Sequence, residues 1–249
     1  MATPRNIQNL GTARADLQTN LTLARGDYRD LSHINKFGFS STVGATFQTV
    51  WDGNNIYTYP ATAGTVQITS DAAASADDGA VITVIGLDQD YLDVQEDITV
   101  GGPRGEVTFI RVFRAFVKTP ASGQTTNVGV VTLTHTQADS TDTTIAIIKA
   151  TNGQTLMATY TVPANKQAYI LKFKGSLEKA KETIFQGVAR PYGGAFRVQG
   201  IYGSAGSPVE YEYPVPLKFG ARTDFEVRVK AGATTGASAI FDIILEDKV

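Results

Sequence analysis

Two histidines, His33 and His135, are the acid–base candidates in this sequence, and there is no cysteine. Both lie in polar, turn-like stretches, and no Gly-x-Ser-x-Gly segment is present to strain a nucleophile at a strand-to-helix elbow. With neither an activated nucleophile nor a poised acid–base pair, no catalytic residue is assigned. The lack of cysteine removes disulfides and thiolate metal sites together. Carboxylates gather once, at Asp88, Asp90, Asp93, Glu96 and Asp97. A calcium loop needs alternating carboxylates, a glycine at the sharp turn and a closing Glu; here no glycine stands inside and Tyr91-Leu92 break the pattern. A solvated hairpin tip is the better reading, so neither a metal nor a cofactor is assigned. Exposed rings can stack on sugars, and Tyr192, Tyr202, Tyr211 and Tyr213, which flank Gly/Ser-rich sequence, are the candidate glycan contacts.

The elements that would position these groups are strands. Phe47 to Trp51 alternates apolar and polar before the turn Asp52-Gly53-Asn54-Asn55, and Ile56 to Tyr59 resumes it. Ala80–Ile85 and Asp93–Val100 read as a hairpin. Val107–Lys118 reads as a long strand, with Phe109, Arg111, Phe113, Ala115 and Val117 on one face. Turn signals recur every eight to twelve residues to the C-terminus, the spacing of sandwiches and barrels. Phe113–Lys118 and Phe225–Lys230 lie 112 positions apart, and each precedes a Thr/Gly/Ser loop and another strand. Their similarity suggests duplication, each pair closing its sheet as an antiparallel hairpin.

The expected fold is therefore all-β: two tandem antiparallel β-sandwich, jelly-roll-like domains preceded by an extended N-terminal arm. The arm spans residues 1–40, the first domain 41–138, a polar linker 139–143, and the second domain 144–249. The expected cores comprise Phe47, Trp51, Val84, Ile110, Val112 and Phe116, then Tyr160, Ile170, Phe173, Val188, Val227, Phe241 and Ile243. Residues 1–40 hold few large apolar side chains and no strong period. Leu17, Leu21, Leu23, Leu31 and Ile34 are spaced to fit shallow pockets on a neighbour. Arg25, Asp27, Arg29 and Asp30 alternate in charge and would fix its register; the embedded Arg-Gly-Asp tripeptide is too short to carry information.

With 22 basic and 24 acidic residues the net charge is −2, which argues against general nucleic-acid binding. No apolar run approaches a membrane span, and the N-terminus has no apolar signal segment, so synthesis in the cytoplasm without membrane partners is expected. Residues 71–97 carry eight acids and no Lys or Arg, whereas 151–249 carry twelve Lys/Arg against nine acids. That asymmetry suits packing between copies.

Several fragments are familiar together: His33-Ile34-Asn35-Lys36-Phe37-Gly38, Thr49-Val50-Trp51-Asp52-Gly53 with Ile56-Tyr57-Thr58-Tyr59, and Gly86-Leu87-Asp88 with Tyr91. The second half adds Gln154 to Ala158 with Tyr160 to Pro163, Arg190 to Gly194 with Phe196-Arg197-Val198, and Pro216-Leu217-Lys218 with Thr223-Asp224 and Glu226-Val227-Arg228. From residue 33 onward the chain resembles small virion structural proteins of marine tailed bacteriophages, of the cyanophage and pelagiphage type. The resemblance implies a non-enzymatic virion component made in the host bacterial cytoplasm. Its implied partners are itself, as a homo-oligomer and in the leading form a trimer, and the major capsid protein or other virion proteins. A capsid decoration or cement protein is the leading expectation. A tail, neck or fibre-attachment protein and a carbohydrate-binding host-adhesion module are the alternatives.

Overall fold

The computed structural model describes residues 20–136 and 142–248. A helical turn over 20–24, closed by the Arg25 N–H to the Leu21 carbonyl at 3.0 Å, leads into fifteen strands that pair antiparallel throughout. The larger sandwich has one sheet ordered β1(Leu31–Val43), β15(Thr235–Asp247), β10(Lys166–Leu177), β13(Val209–Phe219). Its facing sheet is ordered β12(Arg197–Ala205), β11(Glu182–Arg190), β14(Asp224–Ala231), β2(Gln48–Thr49), and β9(Thr159–Thr161) also pairs with β14. The smaller sandwich packs β3(Thr65–Ser70), β7(Val131–Thr136), β8(Thr143–Ile148) against β5(Asp93–Thr99), β4(Val81–Leu87), β6(Arg111–Thr119).

All-β architecture with antiparallel sheets is as the sequence implies; the division of the chain is not. The smaller sandwich is inserted into the larger one between β2 and β9. The chain leaves and returns side by side, where Trp51 and Met157 form an isolated bridge, as inserted domains require. Of the expected linker at 139–143, residues 139–141 lie outside the described residues and Thr143 opens β8, which pairs with β7 from Val131↔Ile148 to His135↔Thr143. Polar, turn-rich composition fits a connection between paired strands as well as a linker between domains, so polarity alone does not separate them.

The expected arm is corrected in the same way. Leu31 and Ile34 sit in β1, opposite Glu246 and Ile243 of β15, so this strand belongs to the molecule's own sheet. From residue 34 to 40 its inward positions are Ile34, Lys36, Gly38 and Ser40, a row with one apolar side chain before buried Val43, which is why no hydrophobic period announces it. At Gly38 a Cβ would lie 2.3 Å from both the Ala158 nitrogen and the Val50 oxygen, so the strand fits only without a side chain there. Of the remaining arm candidates, Leu17 lies outside the described residues. Leu21, Arg25, Asp27, Arg29 and Asp30 are exposed, and Leu23 is half-buried.

The 112-residue offset does place two strands, β6 and β14, in comparable roles, but neither forms a hairpin with its successor. β6 pairs with β4 while β7 joins the facing sheet; β14 pairs with β11 while β15 crosses to the other sheet. The Thr/Gly/Ser segments are crossovers between sheets.

Two apolar clusters fill the sandwiches. The larger contains Tyr160, Ile170, Phe173, Val188's neighbour Ala189, Val227, Phe241 and Ile243, and it also takes Leu87, Tyr91, Ile110 and Phe113 from the insert. The larger cluster thus extends across the junction. Of the expected core, Phe47 and Phe116 are only half-buried, under the cations of Lys230 and Arg114 at 4.8 and 5.5 Å from their ring centres. The others are buried, Phe241 completely.

Candidate functional site

Three places concentrate polar or exposed chemistry. The first is a buried charged seam at the junction of the sandwiches. Asp224, opening β14, receives Arg111 from β6 through Nε at 2.8 Å and Nη2 at 3.1 Å. It also receives Arg190 from β11 through Nε at 2.9 Å and Nη2 at 2.5 Å, and the Thr161 hydroxyl at 2.7 Å. Arg111 further donates to the carbonyls of Pro60 and Ile110 at 2.8 and 2.7 Å. Two residues on, Glu226 is fully buried and accepts from Arg228 at 2.5 Å and from the Tyr59 hydroxyl at 3.1 Å. Burial pushes its carboxyl up against the pull of Arg228. Burial likewise pushes the Tyr59 phenol well above its ordinary value, with Glu226 and Asp224 adding to the effect.

Aromatic rings interleave these cations. Arg111 and Arg190 lie over Tyr59 at 5.1 and 4.9 Å, and Arg190 and Arg228 lie over Phe196 at 4.7 and 4.9 Å. Arg222 sits over Tyr91 and Tyr192 at 5.4 and 5.2 Å. With five donors on one carboxylate and rings between the guanidinium groups, this seam acts as a desolvated clamp. The sequence held one signal for it: Arg111 shares the phase of core residues Phe109 and Phe113.

The second place is the outer face of the β1 sheet, where a groove of about 630 Å3 runs beneath the 20–24 turn. Here the Asp242 carboxylate receives Asn35 at 2.6 Å and lies 3.1 Å from both His33 Nε2 and Lys172 Nζ. Burial works to raise the Asp242 carboxyl, but Asn35, Lys172 and His33 outweigh it and hold it below the usual carboxylate range. The other histidine is elsewhere: His135, buried in β7, contacts the Phe109 carbonyl at 2.8 Å, and burial lowers its pKa. The two histidines are therefore not brought together.

The acidic run is likewise dispersed along its own hairpin. Asp88 accepts the N–H groups of Asp90 and Leu92 at 2.9 Å, Glu96 that of Glu106 at 2.7 Å, and Asp97 the Thr83 hydroxyl at 2.6 Å. Among the described residues no three His, Asp or Glu side chains gather as a metal-binding group, and no helix is long and apolar enough to cross a membrane.

The third place is the side of the larger sandwich where β12 and β13 end their respective sheets. Tyr202 of β12 stacks on Phe173 at 4.9 Å, and its hydroxyl bonds that of Tyr213 across the gap. Tyr211 lies 5.6 Å from Tyr202 and 4.9 Å from Tyr213. These three candidate glycan rings close the sandwich's side, with Tyr202 and Tyr213 half-buried in doing so. Tyr192 is not among them; it packs edge-on against Tyr91 of the insert at 5.7 Å and is 64% exposed. Tyr211 of the trio is exposed, as are Val198 and Ile201 of β12 and Val215 of β13, the last by 79%. Val215 lies on a bulge in which Leu171 alone faces the four residues Tyr213 to Pro216. Pro214 and Pro216 remove two donors there, which blunts that edge. β12 has no proline; it bulges at Gln199, and among the described residues nothing pairs with its outer edge.

No protein-family model and no curated protein matches the sequence. Solved structures give weak likenesses. The Yersinia pseudotuberculosis-derived mitogen is 11% identical, covering 33% of this chain and 80% of its own, with a TM-score of 0.22. The infectious bursal disease virus Gt strain structure is 8% identical over 88% of this chain and 73% of its own, with a TM-score of 0.24. The VP2 subviral particle of the same virus is 8% identical over 88% and 78%, with a TM-score of 0.20. Likenesses this weak carry no argument about the fold or role of this chain.

Proposed function

We propose that this chain is a non-enzymatic structural component of a tailed-phage virion, acting by self-assembly, and specifically a capsid decoration or cement protein. The sequence resemblance supports the virion setting. The observation that carries the assembly role is the edge of β12, unpaired among the described residues, together with exposed Val198 and Ile201 on that strand and Tyr211 and Val215 on β13. A sheet edge without a partner offers its N–H and C=O groups to another chain, and exposed apolar side chains near it suit such a contact. The groups best suited to chemistry are engaged elsewhere: Asp224 and Glu226 in the junction clamp, Asp242 under three donors, His135 inside the insert. In this reading the larger sandwich supplies contacts to further copies, the leading form being a homotrimer, and to the major capsid protein. The insert faces away from them.

Gel densitometry of purified virions against the major capsid protein tests the reading. Hundreds of copies per particle support decoration. A few to a few dozen move the chain to the tail, neck or fibre attachment. Absence from the particle overturns the virion role, and a glycan array then tests host adhesion through Tyr192.

A further inference from the structure

Lys36 has no place in the assembly reading. It lies on the inward face of β1, 7% exposed, and its Nζ donates to the Phe113 carbonyl of the insert and sits 5.9 Å from that ring's centre. Among the described residues it has no carboxylate partner. A buried ammonium without a counter-charge is costly, and proteins retain one where something else neutralises it. Beside it is a cavity of about 200 Å3, about seven water volumes, between β1, β4 and β6. The charged groups lining it are Lys36 and Arg114, both positive; Ile34, Phe37, Ile85 and Phe113 form apolar walls. Arg114 is exposed and holds the Gln154 side chain at 3.2 Å, which puts a second cation at the solvent side.

We propose that this cavity binds a small organic carboxylate, its oxygens on Lys36 Nζ and the Arg114 guanidinium and its hydrocarbon part against Ile34, Phe37, Ile85 and Phe113. Two cations of unequal burial give the anion a direction, and apolar walls favour a short-chain or single-ring acid over inorganic phosphate. The ligand bridges the sandwiches, since Lys36 belongs to the larger and Arg114 to the insert. Burial, with the charge of Arg114, lowers the Lys36 ammonium to about 7. An arriving carboxylate favours the charged lysine, so binding takes up a proton near neutral pH and weakens as pH rises further. Among the described residues no other ionisable group lines the cavity: β4 contributes Ile85, β6 Phe113 beside Arg114, and the returning chain Thr155.

Isothermal titration calorimetry on the full chain tests this with butyrate, benzoate, phosphate and neutral butyramide. Butyrate or benzoate should bind with proton uptake, read from the dependence of heat on buffer ionisation enthalpy, and butyramide should not bind. Lys36→Met should weaken binding by at least about tenfold, the scale of a lost charge-assisted hydrogen bond, and Arg114→Gln, at the surface, should weaken it too. If Lys36→Met fails to fold, the Arg114 variant and proton uptake decide. No heat with either carboxylate at millimolar concentration, binding of phosphate alone, or unchanged affinity in the variants overturns the site. None of these outcomes depends on a place in a virion.

Discussion

Replacing Asp224 with alanine tests whether the two sandwiches are held as one body by the charged seam. The carboxylate is 3% exposed and is shared by Arg111, Arg190 and Thr161. On its removal Arg190, whose side chain is 29% exposed, can turn to water. Arg111 cannot; it keeps the Pro60 and Ile110 carbonyls but loses its counter-charge. Breaking a buried pair by deleting one partner costs about 3–5 kcal/mol. At this chain length about 2 °C of melting temperature follows each kcal/mol, so Tm should fall by about 6–10 °C. Trp51, the only tryptophan, stands where the chain passes between the sandwiches and reports the transition by fluorescence in urea, alongside calorimetry. Because the larger cluster takes residues from both sandwiches, the parent protein should melt in one transition. The double variant Arg111→Met with Asp224→Leu should recover most of the loss, because an apolar pair of similar volume needs no counter-charge. A loss below about 1 kcal/mol in Asp224→Ala, the range of ordinary surface sites, would show that the seam does not hold the junction.

Phe241→Ala should cost about 3–5 kcal/mol, since the ring is fully enclosed and packs edge-on against Phe225 at 4.8 Å; equilibrium urea unfolding reads it. The folded chain binds fewer protons at Lys36 than the unfolded chain between about pH 7 and 10.5. Its contribution therefore makes stability rise with pH across that window, and Lys36→Met should flatten the slope in denaturation series at several pH values. Ile201→Lys with Val215→Lys should abolish self-association, measured by analytical ultracentrifugation, while leaving melting within about 0.5 kcal/mol of the parent. Retained oligomers would move the assembly surface elsewhere. Deleting residues 2–40 should prevent folding, seen as loss of the strand signal in far-UV circular dichroism, because it removes most of the β1 ladder to β15.

Strand grammar was legible because large residues alternate where one face is buried; Tyr160, Val227 and Phe241 are all placed by that rule. Connectivity was not. β1 hides its inward face behind Lys36, Gly38 and Ser40, so a core strand reads as a polar arm. The sequence between β7 and β8 has linker composition, and composition does not say that Leu133 pairs with Ala146. The charged seam escaped notice because its members, Arg111, Arg190 and Asp224, are distant in sequence and meet only once two sheets are packed. Of the four candidate tyrosines, three do converge, but their convergence depends on β12 and β13 ending opposite sheets, a fact of topology.

The pairing of β1 with β15 also fixes an order of events. The first strand finds its partner in the last, so during synthesis Leu31–Val43 must wait unpaired until Thr235–Asp247 has left the ribosome. The insert's strands all lie between them and complete both their sheets earlier. The smaller sandwich can therefore form while the larger is still being made, and closing the larger one demands the longest loop in the chain. Such non-local closure is slow. During that delay the waiting strand is a target for other nascent copies, so the same topology that seals the finished molecule exposes it to exchange of β1 between neighbours while it is being born.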